Sequence, residues 1–466
     1  MSAPTTRFSH LQEGTSEALW WSAPQWDTVP VLDRAATAAS FSKVIVASAH
    51  PDDETLGIGG LVTDLAELGV PISVLVATAG ERSQHGLGDR ARERLATLRR
   101  REVERAVSGL APQARLAHLG LPDTGLHHHE AELMDQIARR VDQRTLILAP
   151  WIDDGHTDHD AVGAAAAAAS AATGAAVAHY PIWLWQWSDP QSLPWSSMVA
   201  SETSLVGCWR KRAALEAFPS QSTAPQNDNG RVEQAAILGP TSLARGRRLV
   251  ETLIAAHGTL PTVSRGGHAE HDIARRAAFD RMYDGGTDPW GNAGSFYEER
   301  RRALLLAMLG RSRYGRVLEL GCADGYLTTA LADRATQVLA FDTSARAVAA
   351  ARIASPTSLI EQGSVPQDIP EGEFDLVVLS EVGYFLTPLE LIQTLRRARA
   401  ALAPGGELVL CHWQHPTNGV PLDGVLVHEQ AVALLGYPPR ARHVDEDLCI
   451  EVWGDAPSVA ESEGRT

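Results

Sequence analysis

Short apolar runs alternate with longer helical patterns along most of the chain. Runs such as Lys43–Ser48 and residues 145–151 are rich in Val, Ile and Leu and end in polar turns, which is typical of buried strands. Between them, segments such as residues 90–108 carry apolar side chains at helical spacing. This alternation predicts an α/β fold with a doubly wound, mostly parallel sheet. Functional sites in such folds lie at the carboxyl ends of the strands.

The alternation occurs twice. The segment 258–272 loses periodicity and collects Gly, Pro, Ser and Thr, which is typical of a linker. We therefore predict two domains, at 1–257 and 273–455, each with its own doubly wound, mostly parallel sheet. The polar segment 456–466 is predicted to be a disordered tail.

Composition and charge narrow the expected partners. The 466 residues are 44% hydrophobic and 21% charged, with a formal net charge of −16. Nucleic acids and anionic membranes attract clustered Lys and Arg, so neither is an expected partner. Residues 99–101 form a short Arg run in a helical pattern, which predicts a solvated helix face. The four scattered cysteines and the absence of a signal-peptide pattern favour a cytoplasmic protein without a membrane span, whose oligomeric state is left open.

The motif AHPDDE directly follows the strand Lys43–Ser48, and HTDH follows about a hundred residues later. His50, Asp53 and His159 supply three metal ligands, which leaves a position for water, as in catalytic zinc sites. Asp52 is then placed to act as the general base. Two histidines and one carboxylate also describe an iron(II) site, so these ligands allow Zn²⁺ or another divalent metal such as Fe²⁺. The spare carboxylate of Asp52 favours hydrolysis.

The two histidines of HTDH lie three residues apart at a predicted helix start, and therefore share one face. His156 can donate a hydrogen bond to the oxyanion that forms during hydrolysis. We predict that Asp158 fixes the tautomer of His156 through a hydrogen bond.

These motifs, together with TAGERSQHG and LGLPDTGL, resemble the PIG-L/LmbE family of N-acetylglucosaminyl deacetylases over roughly residues 40–255. The resemblance implies hydrolysis of an N-acetyl group on an amino sugar by the ligands and catalytic groups just named. It also implies that Arg82 and Asp123 lie in loops bordering the sugar.

A glycine-rich turn follows another predicted strand, in GRVLELGCADG. Gly321 and Gly325 permit a turn that brings the backbone close to a ligand. Asp342 ends the next strand, where a carboxylate can accept hydrogen bonds from ribose hydroxyls. The turn lacks the G-x-G-x-x-G pattern and a phosphate-binding Lys, which disfavours NAD and ATP. Together with Glu319, this pattern resembles class I methyltransferases, and implies S-adenosylmethionine as the cofactor.

The flanking segments DPWGNAGSFYEERR and SEVGYFL resemble nodulation-type N-methyltransferases over roughly residues 275–430; these enzymes methylate the free amine of a de-N-acetylated chitin oligosaccharide. The resemblance implies a lid over the methionine end of the cofactor, formed by Trp290, Tyr297 and Arg301. It implies further cofactor contacts from Gly321, Asp342, Ser364 and Glu381. The group that orients the amine or accepts its proton is left open among Glu381, Tyr384 and His412.

A deacetylase followed by an amine methyltransferase predicts successive reactions, in which the first frees the amine that the second methylates. Alternatively, the methyltransferase acts on an oxygen or on another substrate of the same pathway, or one domain serves only for binding. The identity of the amino sugar and its aglycone is left open.

Overall fold

The computed structural model describes residues 14–84, 86–224, 235–263 and 268–465. The chain divides into two compact units, Met1–Arg265 and Gly266–Thr466. No helix within the described ranges is long and apolar enough to cross a membrane.

The first unit contains a nine-stranded sheet. Its strands are β1 (Val31–Leu32), β2 (Lys43–Ser48), β3 (Ile72–Val76), β4 (Arg115–His118), β5 (Thr145–Pro150), β6 (Ala176–Tyr180), β7 (Met198–Glu202), β8 (Val250–Ile254) and β9 (Thr262–Val263). They pair in the order β4-β3-β2-β5-β6-β8-β7-β1-β9. The strands from β4 to β6 are parallel, whereas β8 is antiparallel to both of its neighbours. The predicted mostly parallel α/β architecture is confirmed, with an antiparallel extension.

Helices cover both faces of this sheet. They are α1 (Glu17–Ser22), α2 (Arg34–Ser40), α3 (Asp53–Glu67), α4 (Asp89–Leu110), α5 (Glu130–Ala138), α6 (Thr157–Thr173), α7 (Leu184–Trp187), α8 (Leu205–Leu215), α9 (Pro219–Ser222) and α10 (Pro240–Gly246). Val44 of β2 packs in one buried layer with residues of α3 and α4. Its neighbour Ile45 packs in the opposite layer with residues of α5 and α6. Because successive strand residues point to opposite faces and both faces are covered, residues 44–47 of β2 are all apolar.

The second unit contains a seven-stranded sheet. Its strands are β10 (Tyr314–Leu320), β11 (Ala335–Asp342), β12 (Leu359–Gln362), β13 (Phe374–Ser380), β14 (Leu402–Trp413), β15 (Ala441–Val444) and β16 (Leu448–Trp453). The order is β12-β11-β10-β13-β14-β16-β15. The first five strands in this order are parallel, and the last two add antiparallel.

The helices of the second unit follow the same alternation with its strands. They are α11 (His268–Met282), α12 (Phe296–Met308), α13 (Tyr326–Ala332), α14 (Ala345–Ala354), α15 (Pro388–Ala400), α16 (Gly424–Leu435) and α17 (Val459–Ser462). A single 3₁₀ turn, Gly383–Phe385, follows β13. This turn borders the second of the two sites described below.

Two segments differ from the sequence predictions. The predicted linker 258–272 contains β9, which pairs with β1, and the start of α11; residues 264–267 lie outside the described part. The predicted disordered tail contains α17, because Ser458 and Glu461 form a capping box that satisfies backbone N–H groups at the helix start.

Candidate active sites

The first site begins at the turn between β2 and α3. Asp52 has a φ of 136°, a strained conformation for a residue with a side chain. Its carbonyl oxygen accepts the backbone N–H groups of Thr55 and Leu56, which starts α3. The side-chain amide of Gln221 donates to the carbonyl of Pro51 and holds the turn from outside. Strain that the surrounding structure maintains in this way is typical of functional residues.

The structure brings His50, Asp53 and His159 together. His50 Nδ1 lies 3.2 Å from His159 Nε2. The Asp53 carboxylate lies 3.3 Å from His159 Nε2 and 3.9 Å from His50 Nδ1. Ligand atoms about 2.1 Å from a tetrahedral zinc ion lie roughly 3.4 Å apart, so this spacing fits a metal ion.

Carboxylates hold the other nitrogen of each of these two histidines. Asp154 Oδ2 lies 2.7 Å from His159 Nδ1. Asp158 and Asp123 lie 3.3 and 3.4 Å from His50 Nε2. Such contacts fix ring orientation and tautomer in metal sites, which further supports the fit to a metal ion.

The predicted role of Asp158 requires correction. Its carboxylate faces His50 and accepts the backbone N–H groups of Thr124 and Leu126, at 2.8 and 3.1 Å. Within the described part of the chain, the Asp158 carboxylate does not hydrogen-bond to His156. Instead, the backbone N–H of Asp158 donates to His156 Nδ1, at 3.2 Å. This follows because His156 is the N-cap of α6. The neutral His156 ring therefore carries its hydrogen on Nε2, as an oxyanion donor requires.

Arg82 and Asp123, which are predicted to border the sugar, differ in burial. Asp123 is buried and accepts the backbone N–H of Arg82 at 2.7 Å, while its other oxygen faces His50. The side chain of Arg82 is exposed. Asp123 thus contacts His50 on the Nε2 side of its ring, away from Asp53 and His159.

The buried carboxylates give the first site a negative electrostatic potential. Burial, with the charges of Asp53 and Glu54, raises the pKa of Asp52 well above its usual value. Burial lowers the pKa of His159, but Asp53 and Asp154 outweigh burial and raise this pKa to about 10. The site therefore favours a positive charge at His159, which a metal ion can supply in place of a proton.

Two residues of this site were missed by sequence reasoning. Arg99 was predicted to be solvated, yet it is only 1% exposed. It lies on the buried side of α4 with Val103 and Ala106, four and seven residues further on, which was the signal for burial. Its Nη1 donates to the Gly80 carbonyl at 2.7 Å, whereas Nε and Nη2 are buried without a partner in the described part of the chain. The second missed residue is Asp154, five residues before His159.

The second site is a cavity of about 240 Å³ at the carboxyl ends of β10, β11 and β13. Gly321 has a φ of 84°, and a Cβ there would lie 2.3 Å from Val382 Cγ2. Gly325 has a φ of 85°, and its Cβ would lie 2.8 Å from the Ala351 backbone. Both positions therefore require glycine, which gives the predicted close turn.

The predicted cofactor residues Glu319, Asp342 and Ser364 line this cavity. The oxygens of Asp342 accept backbone N–H groups from Ala323 and Ser344, at 3.0 and 2.9 Å. Glu319 accepts a hydrogen bond from a threonine hydroxyl at 2.6 Å, and burial raises its pKa to about 7. Sequence reasoning missed Asp324, which also lines the cavity and lies inside the glycine turn.

Of the three predicted lid residues, Trp290 and Arg301 line the cavity, whereas Tyr297 is not among the lining residues. Trp290 is 40% exposed and lines the cavity, with its ring centroid 6.5 Å from those of Phe279 and Phe385. Arg301 also lines the cavity but is buried, and its Nη1 donates to Ser380 Oγ at 2.6 Å. Tyr297 packs edge-on against Trp413, with centroids 5.1 Å apart.

Glu381, Tyr384 and His412, the three residues that could orient the acceptor amine or take its proton, differ in their positions relative to the cavity. Glu381 and Tyr384 line the cavity, and the Tyr384 hydroxyl donates to Glu381 Oε2. The Nε2 atom of His412 already accepts the backbone N–H of Gly383, at 3.1 Å. His412 therefore holds the turn Gly383–Phe385 and is not placed to accept a proton there.

Each half of the chain matches a family model. Residues 45–170 match PIG-L, described as GlcNAc-PI de-N-acetylase, and residues 317–406 match a methyltransferase domain. The chain is 34% identical over 130 residues to the probable N-acetyl-alpha-D-glucosaminyl L-malate deacetylase 2 of Bacillus subtilis (strain 168), covering 26% of this chain and 58% of that protein.

Other relatives match the second half. Nodulation protein S of Rhizobium tropici is 31% identical over 152 residues, covering 30% of this chain and 64% of that protein. The uncharacterized methyltransferase sll0829 of Synechocystis sp. is 36% identical over 123 residues, covering 26% of this chain and 58% of that protein. The chain thus spans between 58 and 64% of the length of these three relatives. The chain thus carries a region that matches the PIG-L family model and, after it, a region that matches a methyltransferase-domain model.

Proposed function

We propose that the protein removes the acetyl group from an N-acetylated amino sugar or its conjugate, and then methylates the freed amine with S-adenosylmethionine. The main support is the convergence of His50, Asp53 and His159 within 3.2 to 3.9 Å, next to Asp52. The similarity to the Bacillus subtilis relative, a probable N-acetyl-alpha-D-glucosaminyl L-malate deacetylase, supports the choice of an amino sugar.

A divalent metal, Zn²⁺ by preference, held by His50, Asp53 and His159 would supply Lewis-acid polarisation of the amide carbonyl. Asp52 takes a proton from the attacking water, for which burial has raised its pKa. His156 donates its Nε2–H to the oxyanion. Asp52 then passes its proton to the departing amine, so the products are acetate and a free amino sugar.

The second reaction uses the cavity at the ends of β10, β11 and β13. Asp342 binds the ribose hydroxyls, and the Gly321 turn lets the backbone approach the cofactor. Methyl transfer from a sulfonium is a direct displacement, so the cavity has to align the reactants more than to activate the cofactor.

The chemistry of the nitrogen sets the order of the two reactions. An acetamide nitrogen shares its lone pair with the carbonyl and is a poor nucleophile. A neutral amine attacks the sulfonium methyl directly. Deacetylation therefore has to precede methylation if both reactions act on one nitrogen.

The test uses the full chain with Zn²⁺, S-adenosylmethionine and a panel of N-acetylamino sugars, including N-acetylglucosamine, diacetylchitobiose and N-acetylglucosaminyl conjugates. Mass spectrometry should show loss of an acetyl group followed by gain of a methyl group on the same molecule. Methyl gain on a molecule that keeps its acetyl group would contradict the proposed order. Deacetylation without methylation of any product would limit the proposal to the first site.

A further inference from the structure

Glu381 follows β13 directly and presents a carboxylate oxygen that the fold does not use. Its Oε2 accepts the Tyr384 hydroxyl. Its Oε1 is buried and has no hydrogen-bond partner among the residues described. A buried acceptor without a partner costs about 1–3 kcal/mol, so such an atom next to a ligand cavity calls for a donor from the ligand.

The backbone around Glu381 is also held in an uncommon conformation. Glu381 has a φ of 59°, in the left-handed region. Its N–H donates to the Cys411 carbonyl at 2.9 Å. Two residues later, the N–H of Gly383 donates to His412, and a Cβ on Gly383 would lie 2.9 Å from His412 Nε2. The turn that carries Glu381 is thus fixed from β14.

A chain of buried side chains fixes His412 in turn. His412 Nδ1 lies 3.1 Å from His428 Nε2, and His428 Nδ1 lies 2.6 Å from Glu451. Because His412 Nε2 accepts the Gly383 N–H, its Nδ1 has to be the donor to His428. Each ring therefore has one orientation and one tautomer, and the turn that carries Glu381 has a rigid support.

The strand order places Glu381 on the acceptor side of the cavity. Ser364, Asp342 and Gly321 follow β12, β11 and β10, which are consecutive in the sheet. Glu381 follows β13, the next strand in the same order. A cofactor with its ribose at Asp342 and its adenine toward β12 directs its sulfonium toward Gly321 and β13. The attacking atom then arrives on the side of Glu381.

We propose that Glu381, oriented by Tyr384, binds an aliphatic amine at Oε1 and takes one proton from it, so that the second site methylates nitrogen. This inference rests on the proposed function and deepens it, because it assigns the residue that binds and deprotonates the acceptor amine. The ammonium form gives a proton to the carboxylate, and the freed lone pair attacks the methyl carbon. The carbon–sulfur bond breaks and its electrons remain on sulfur, which gives a thioether and a methylammonium ion. Glu381 releases its proton to solvent.

Aromatic rings near Glu381 suit this product. Tyr384 and Phe385 pack with centroids 4.7 Å apart, and both line the cavity. Tyr297 packs against Trp413 at 5.1 Å, and its hydroxyl is buried without a partner in the described ranges. Aromatic faces attract alkylammonium and sulfonium cations.

The charges around Glu381 set its protonation. Burial and, to a smaller extent, the charge of Glu298 raise the pKa of Glu381 above its usual value, while Arg301, the Tyr384 hydroxyl and the Trp413 backbone oppose this rise. A carboxylate with a raised pKa is better matched to accept a proton from an amine near neutral pH. The titratable groups that face it from the surrounding elements are Arg301, Glu298 and Tyr297 of α12, Tyr384 of the turn, and Cys411 of β14.

Two ammonium groups could donate an N–H to Glu381 Oε1, namely that of the acceptor amine and that of the methionine part of the cofactor. The experiment therefore measures cofactor affinity and acceptor kinetics separately in Glu381→Gln of the full chain. The acceptors are glucosamine and its deacetylated β-1,4 disaccharide, and the hydroxyl-only comparison is methyl glucoside. The matched control is Asp342→Asn, an isosteric change of the carboxylate on the ribose side.

In Glu381→Gln, kcat/KM for the amines should fall about 10²–10⁴-fold at pH 7, the usual effect of losing a general base. The deficit should shrink as the pH approaches the pKa of the amine, because solvent then removes the proton. Calorimetry should show unchanged S-adenosylmethionine affinity in Glu381→Gln and reduced affinity in Asp342→Asn. Tyr384→Phe should show a smaller kinetic loss with a similar pH profile.

A loss of cofactor affinity in Glu381→Gln with an unchanged KM for the amine would overturn the proposal in favour of the methionine ammonium. A folded Glu381→Gln protein with the wild-type rate and pH profile would also overturn it. Methylation of methyl glucoside but of neither amine would assign the site to oxygen. Absence of transfer to every acceptor would contradict the proposed function itself.

Discussion

Asp154→Asn is predicted to weaken metal binding although Asp154 is not a metal ligand. Asp154 Oδ1 accepts the N–H groups of Ile182 and Leu184, both at 2.9 Å. Its Oδ2 accepts the N–H of Trp183 at 2.9 Å and contacts His159 Nδ1 at 2.7 Å. Asparagine keeps one oxygen, which can accept the N–H groups of Ile182 and Leu184. Its NH₂ group then faces the Trp183 N–H and His159 Nδ1, which are also donors.

His159 can relieve this conflict only by changing its tautomer. Its Nδ1 then accepts a hydrogen bond from the new amide, and its Nε2 carries a hydrogen where a ligand lone pair is needed. Changes to partners of this kind reduce metal affinity about 10–100-fold, or roughly 1.4–2.7 kcal/mol. The orphaned backbone N–H of Trp183 should also lower the unfolding free energy of the metal-free protein by about 1–3 kcal/mol.

The assay is a Zn²⁺ titration in competition with a chromophoric chelator, together with urea unfolding of the metal-free protein. The matched control is Asp153→Asn, which makes the same substitution at the exposed neighbouring residue. The control should keep wild-type zinc affinity. A folded Asp154→Asn protein with wild-type zinc affinity would refute the tautomer argument.

Three further outcomes are expected. Asp342→Ala should weaken S-adenosylmethionine binding by about 1–3 kcal/mol in calorimetry, and unchanged affinity would mean that the ribose lies elsewhere. Glu251→Gln should cost about 3–5 kcal/mol in urea unfolding, because it leaves the buried Lys211 ammonium, 2.7 Å away, without a negatively charged partner; a cost under 1 kcal/mol would contradict this. Burial lowers the pKa of His412 well below 6.5, so as the pH falls below about 6.5 the unfolded chain binds a proton that the folded protein does not. The stability advantage of wild type over His412→Gln should therefore shrink by up to about 2 kcal/mol between pH 6.5 and 5, and a constant difference would contradict the buried neutral state.

Most of the parallel strands were predictable because they are short apolar runs that end in polar turns, whereas the parallel strand β4, with the sequence RLAH, was not identified. Lys43–Ser48 was identified as a strand with its exact bounds. The antiparallel additions β7, β8, β15 and β16 were not identified, because their pairing depends on distant partners. The apolar segment 179–185 has the composition of a strand, but only its first two residues belong to β6. The strand ends before Pro181, which has no N–H to donate, and Asp154 then accepts the N–H groups that begin the next turn.

Local spacing was sufficient to predict that His50, Asp53 and His159 lie together, since they belong to two short motifs at strand ends. Their supporting groups come from elsewhere in the fold. Asp123 reaches His50 from the loop after β4, and Arg99 reaches the site from α4. Neither contact has a sequence spacing that reveals it. In the second unit, Glu381 was predicted from its position after a strand, but no sequence pattern shows that its Oε1 lacks a partner among the described residues.

The most direct test of the sequential reaction is a single measurement on Asp52→Asn, because the amide cannot accept the proton of water. With the N-acetylated sugar and S-adenosylmethionine, this variant should form neither the free amine nor the methylated product. With the same sugar supplied already deacetylated, it should methylate at the wild-type rate, since the second site is unchanged. Methylation of the acetylated sugar by this variant, measured by mass spectrometry, would contradict the account.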